Sequence, residues 1–183
     1  MWAMVQEELL RVERTYRRIG RRWMYNALSF AGFQGWEAII RKRAVASLEL
    51  SHGDTVLDVA CGRGANLPYL VHVVGSEGWV LGIDCSATML AGASELVRKK
   101  GWENVALMQG DAAQMAYSHV FDGALCTLGL TVIPQWQEAL ERMVAAVKPG
   151  KFVVIFDGRL GRGLKRLWNA YYRLLSHITA GDL

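Results

Sequence analysis

The chain has 183 residues, of which 52% are hydrophobic and 21% charged; that suits one packed domain and excludes a disordered chain. There is no run of about 18 apolar residues, which excludes an ordinary spanning helix, and the opening, with Trp2, Gln6, Glu7 and Glu8, lacks the basic-then-apolar order of a secretory signal. Net charge is +4, divided as +4 over residues 1–50, −4 over 51–157 and +4 over 158–183, so an acidic body lies between basic flanks that suit an anionic surface or ligand.

Residues 4–19 predict a helix, because Val5, Leu9, Val12, Tyr16 and Ile19 recur at helical spacing. Gly32 and Gly35 interrupt the pattern, and residues 36–50 predict a second helix. From there the pattern changes to short apolar runs. Residues 55–60 read as a strand, followed by the turn Cys61-Gly62-Arg63-Gly64. Residues 65–74 read as a helix, with Pro68 tolerated in its first turn. A turn over 75–78 leads to a second strand over 79–84. Ser86 is a good N-cap for a helix reaching Lys100, whose cationic last turn suits the helix dipole. Residues 105–108 and 121–127 form the third and fourth strands. A helix over 134–147 is closed by Lys148-Pro149-Gly150, residues 151–157 make the fifth strand, and residues 161–178 make a last helix. In that helix Arg159, Arg162, Lys165, Arg166 and Arg173 alternate with Leu164, Trp168, Tyr171 and Tyr172, a basic amphipathic pattern suited either to a membrane interface or to packing on the sheet.

Strands alternating with helices predict an α/β fold, a doubly wound and mostly parallel sheet with helices on both faces. Right-handed crossovers bring all strand C-terminal ends to one rim, where such sheets bind ligands. Three acidic residues close successive strands there. Asp58 precedes a glycine turn in which Gly62 and Gly64 admit close backbone approach. Asp84 ends the second strand, 22 residues after Gly62, where a carboxylate can accept both hydroxyls of a ribose. Asp111, in Gly110-Asp111-Ala112, follows the third strand and can accept from an adenine amino group, with the Ala112 N–H facing the ring. The glycine turn also suits a dinucleotide, but Leu67 stands where that pattern asks for a third glycine.

In these residues the chain resembles the class I S-adenosylmethionine-dependent methyltransferase superfamily. The resemblance is carried in order by VLDVACGRGANL at 56–67, LGIDCSATML at 81–90, MQGDAAQM at 108–115, FDGALCTLGLTVIPQWQEAL at 121–140 and VKPGKFVVIFD at 147–157. It implies a Rossmann-like sheet of order 3-2-1-4-5 and S-adenosylmethionine as cofactor. It implies that Ala60, Gly62, Cys126, Thr127 and Leu128 surround the methionine part. It implies further that Asp84 holds the ribose, that Cys85 and Met89 pack near the adenine, and that Asp111 and Ala112 meet the adenine edge. Residues 16–48 are similar to the entry segment of quinone-biosynthesis C-methyltransferases and of bacterial phosphatidylethanolamine N-methyltransferases, which implies a small hydrophobic or lipid-like acceptor. The resembled fold continues with two further strands, so residues 1–183 are expected to be an incomplete stretch of a longer chain.

The expected organisation is a helical lid over 1–50, a cofactor-binding core over 51–157 and the basic helix over 158–183, within one domain. Catalysis by direct methyl displacement needs alignment more than an acid–base set; Tyr16, Tyr25 and His119 are the candidates should the acceptor need deprotonation. Cys61, Cys85 and Cys126 are odd in number and lack CxxC spacing, so a reduced, cytoplasmic protein without a metal site is expected. The flanks suit peripheral contact with a membrane, whereas nucleic acid ranks lower because the aromatic residues sit among aliphatic ones. Two other readings stay open: a nucleotide-binding oxidoreductase of the NAD type, and a non-catalytic cofactor-binding or membrane-associated module.

Overall fold

The computed structural model describes Glu7 and residues 10–14 and 36–157. Residues 10–14 are helical, as their periodicity predicts; Tyr16, Tyr25 and the expected helix over 161–178 lie outside the described residues. Helix α1 spans Glu37–Ala46. It is followed by β1 (Thr55–Val59), α2 (Leu67–Val74), β2 (Trp79–Asp84), α3 (Ala87–Lys100), β3 (Val105–Gln109), β4 (Phe121–Thr127), α4 (Trp136–Ala146) and β5 (Val147–Phe156). Short 3₁₀ turns at Ala112–Gln114 and Leu130–Val132 flank β4.

The five strands form one sheet in the order β3-β2-β1-β4-β5, and every neighbouring pair is parallel. The parallel sheet is the one expected from the strand–helix alternation, and its order is the Rossmann-like one that the family resemblance implies. Because side chains alternate along a strand, β1, β2, β4 and β5 feed two cores, whereas the edge strand β3 packs only on one. Leu57, Val59, Ala124 and Cys126 pack on one face with Ala139, Met143 and Ala146 of α4. Val56, Val80 and Leu125 pack on the other with Leu67, Leu70 and Val74 of α2 and Ala44, Val45 and Leu48 of the α1 side. β4 is buried along its whole length, as a strand covered on both faces must be.

Local chemistry sets the ends of the elements. Pro68 sits in the first turn of α2, where its missing N–H has no helical partner to lose. The Ser86 side chain accepts from the Met89 N–H at 3.3 Å to cap α3, and Gly101 closes the helix in the left-handed conformation, φ +67°. One boundary differs from the sequence expectation. Val147 already pairs with Phe121, and the register then shifts so that Gly123 faces Phe152. Lys148-Pro149-Gly150 is therefore an irregularity within β5 rather than a separate turn before it, with Gly150 at φ +77° supplying the bend.

Candidate functional site

The carboxyl ends of β1, β2, β3 and β4 open into a single cavity, the kind of concave site in which a small molecule or cofactor is held. Of the residues expected around a cofactor, Ala60, Gly62, Asp84, Cys85, Met89, Asp111, Ala112, Thr127 and Leu128 line it. Four successive strand ends thus deliver their loops to a single crevice, the position at which open α/β sheets bind ligands.

The glycine turn shapes the floor. Gly62 has φ +57°, and a Cβ built on it would meet nothing within 4 Å; the bend leaves open space where any other residue would put a side chain. Two non-glycine residues of the wall share the left-handed backbone, Ala60 at φ +53° and Leu128 at φ +58°, strain that concentrates where the chain turns around a ligand.

Asp84 is 9% exposed. Its Oδ2 accepts from the Gly62 N–H at 2.8 Å and its Oδ1 from the Ser86 N–H at 2.9 Å. Burial raises its pKa, while the two backbone N–H groups pull it down. Since Ser86 caps α3, Asp84 is not needed as the cap and instead braces the glycine turn at the cavity wall. Asp111 also lines the cavity, and its Oδ1 caps the turn at Ala112–Gln114 through the Ala113 N–H at 3.0 Å.

Four expected residues stand elsewhere. Asp58 is fully buried and lies behind the wall, because β1 alternation turns it toward α1 and α2. Gly64 does not line the cavity; at φ +80° a Cβ there would stand 2.6 Å from Leu67 Cδ1, so its role is close packing of the turn on α2. Cys126 points to the α4 face and is buried in that core, the opposite side from Thr127. His119 precedes β4, where its N–H donates to Ala145 O at 2.9 Å and its Nδ1 lies 3.1 Å from Val147 O. That is the amino end of the sheet, away from the cavity. Burial holds the three thiols in the neutral form, raising the pKa of Cys61 and Cys126 and that of Cys85 to about 11.

Sequence reasoning missed the polar cluster behind the wall. Arg41 of α1 is only 6% exposed and lines the cavity. Its Nη1 donates to Asn66 Oδ1 at 2.9 Å and to Thr127 Oγ1 at 2.6 Å. Its Nε and Nη2 both donate to Glu37 Oε1, at 2.9 and 2.7 Å. Asn66 Nδ2 donates in turn to Asp58 Oδ1 at 2.8 Å and to Thr127 Oγ1 at 2.9 Å. Asp58 Oδ2 is left without a partner. Burial drives the Asp58 pKa up to about 7, with Asp84 adding to the rise and Asn66 and Arg41 opposing it. The sequence offered little signal for it: α1 shows almost no amphipathic contrast, and its inward residues Arg41, Ala44 and Val45 are picked out by packing alone. The apolar wall of Val132, Ile133 and Pro134 was also missed, because those residues are distant in sequence from the glycine turn.

Known proteins agree with this geometry. Residues 56–150 match the methyltransferase domain family. A demethylmenaquinone methyltransferase of Desulfitobacterium hafniense is 33% identical over 150 residues, spanning 80% of this chain and 58% of that protein. Its counterpart in Bacillus cytotoxicus is 29% identical over 177 residues, 94% of this chain and 73% of the relative. The chain therefore spans little more than half the length of the first of these relatives. Among solved structures, a SAM-dependent methyltransferase from Aquifex aeolicus superposes with a TM-score of 0.60 at 26% identity, covering 77% of this chain and 78% of its own. A Geobacter sulfurreducens SAM-dependent methyltransferase in complex with S-adenosyl-L-homocysteine shares the fold, with a TM-score of 0.54 at 23% identity over 63% of this chain and 46% of that one. With the sheet order, the glycine-floored crevice and the family match in agreement, the chain belongs to the methyltransferase domain family of class I S-adenosylmethionine-dependent enzymes.

Proposed function

We propose that the cavity binds S-adenosylmethionine and that the protein methylates a small, hydrophobic, quinone-like acceptor. The observation that carries this reading is the crevice itself: a bare glycine bend at Gly62 beside Asp84, with Asp111 on the neighbouring loop. The residues fit the cofactor. Asp84 is the partner for the ribose hydroxyls, Cys85 and Met89 suit the flat face of the adenine, and Asp111 with the Ala112 N–H suits its edge. Ala60, Gly62, Thr127 and Leu128 enclose the remaining, methionine end. Asp84 and Asp111 on the cavity wall suit a ligand with a positive centre.

When bound, S-adenosylmethionine supplies a methyl group already activated on a sulfonium. The chain's own contribution is then alignment and exclusion of water, a source of roughly 7–11 kcal/mol when reactants are well placed. Leu128, Val132, Ile133 and Pro134 give the cavity an apolar side, which supports a hydrophobic acceptor. The similarity to the demethylmenaquinone methyltransferases of Desulfitobacterium hafniense and Bacillus cytotoxicus supports a quinone-like one. Basic flanks of +4 each support peripheral contact with an anionic membrane, where such acceptors partition.

Calorimetric titration with S-adenosylhomocysteine and with NADH tests the cofactor: binding of the first and not the second is expected, and the reverse sinks the reading. Mass spectrometry of quinone and lipid extracts incubated with the protein and a labelled methyl donor tests the acceptor; label confined to water-soluble products would remove the hydrophobic assignment. Co-sedimentation with anionic liposomes should weaken as salt rises, and salt-indifferent binding would discard the electrostatic contact.

A further inference from the structure

We infer that Arg41 anchors a carboxylate of the ligand held in the cavity, with Asn66 and Thr127 as its positioning residues; this rests on the cofactor reading above. A guanidinium carries five N–H donors. Four are committed in the bonds to Glu37, Asn66 and Thr127, which leaves one on a cation that is 94% buried and forms part of the cavity lining. A buried cation with a spare donor is a site for an anionic acceptor, since such bonds strengthen where water is excluded.

The frame around Arg41 is built to hold it still. Asn66 uses both amide hydrogens, on Asp58 and Thr127, and its Oδ1 accepts from Arg41 and from the Thr127 hydroxyl at 3.1 Å. Thr127 Oγ1 accepts from Arg41 and Asn66 while donating to Asn66. Every polar atom of these two side chains is satisfied, so the guanidinium is fixed from β4 and from the glycine loop together. Glu37, on the same helix, grips the other edge of the fork. Asp58 beneath, its pKa pushed up to about 7, contributes only part of a negative charge near neutral pH and leaves Arg41 attractive to a second carboxylate.

Position decides between the two cations of the lining. Arg63 lies toward α3, the helix that follows Asp84 and Cys85: a Cβ on Gly92 would stand 2.5 Å from Arg63 Cζ. Arg41 sits over β1 and β4 through Asn66 and Thr127. Strands β2 and β4 flank β1, so their ends are separated by about 10 Å. A ligand with its nucleoside against Asp84 and Asp111 therefore carries its amino-acid end across β1 to Arg41, away from Arg63.

The test is calorimetric titration of the 183-residue chain with S-adenosylhomocysteine, with its decarboxylated analogue and with 5′-methylthioadenosine. Wild type should prefer S-adenosylhomocysteine over the decarboxylated analogue by about tenfold or more, the expected size of one charge-assisted contact. Arg41→Gln should erase that preference while leaving affinity for 5′-methylthioadenosine within about twofold, and Arg63→Gln should retain it. Retention in Arg41→Gln, or its loss in Arg63→Gln alone, overturns the assignment. Should Arg41→Gln lack a native near-ultraviolet spectrum, Arg41→Lys carries the test, since it keeps the charge and loses the fork; the preference must then fall. The wild-type comparison needs no variant: equal affinity for S-adenosylhomocysteine and its decarboxylated analogue overturns the inference alone, whereas failure of all three ligands to bind removes the cofactor reading beneath it.

Discussion

Asp58 shows how one buried carboxyl ties stability to pH. Its folded pKa of about 7 exceeds its ordinary value of 3.8, so between these pH values the folded state keeps a proton that the unfolded chain releases. Stability from this group is complete below about pH 4, falls as pH rises to about 7, and is level beyond. Asp58→Asn removes the titration, so denaturant melts from pH 4 to 8 should show wild type losing stability relative to the variant, by at most about 4 kcal/mol. Parallel curves would contradict the burial of this carboxyl. Ala60 is the second residue of consequence. At φ +53° its Cβ opposes the backbone, and Ala60→Gly should stabilise the fold by about 0.5–1 kcal/mol despite the greater entropy of glycine in the unfolded chain. A thermal melt that moves downward would show that the methyl's packing outweighs its strain.

At the level of elements, α3 depends on its cap. It begins at Ala87 directly after Asp84 and Cys85, and Met89 in its first turn lines the cavity. Ser86→Ala removes the acceptor for the Met89 N–H and should cost about 1 kcal/mol, read as a melting temperature lower by about 2–4 °C. Binding should weaken as well, because fraying of that turn loosens the wall beside Asp84; unchanged affinity for S-adenosylhomocysteine would separate the cap from the site. Helix α1 is held differently. Its inward residues Arg41, Ala44 and Val45, with Leu48 just after it, join apolar packing on the sheet to a polar tie with β4, so the segment next to the cavity is fixed in register with the strands that form it.

For the whole molecule, a ligand that binds only the folded state stabilises it by mass action. S-adenosylhomocysteine at about 100 times its dissociation constant should add about 2.7 kcal/mol, a rise of roughly 5–10 °C for a chain of this size. No shift under saturating ligand would argue against a cavity assembled from four strand ends. Local signals in the chain determine much of this plan: short apolar runs make strands, amphipathic runs make helices, a glycine turn marks the first crossover, and right-handed connections bring Ala60, Gly62, Asp84, Asp111 and Thr127 to one rim. Tertiary packing decided which of those residues face the ligand. Thr127 and Cys126 are neighbours in the chain yet look to opposite faces of β4. Asp58 is hidden because its face of β1 is covered, and Arg41 reaches the cavity from α1, a helix that the chain completes before it enters β1 and the Gly62 turn. Periodicity reports that one face of an element is buried, but only the packed neighbours determine whether that face meets core, solvent or ligand.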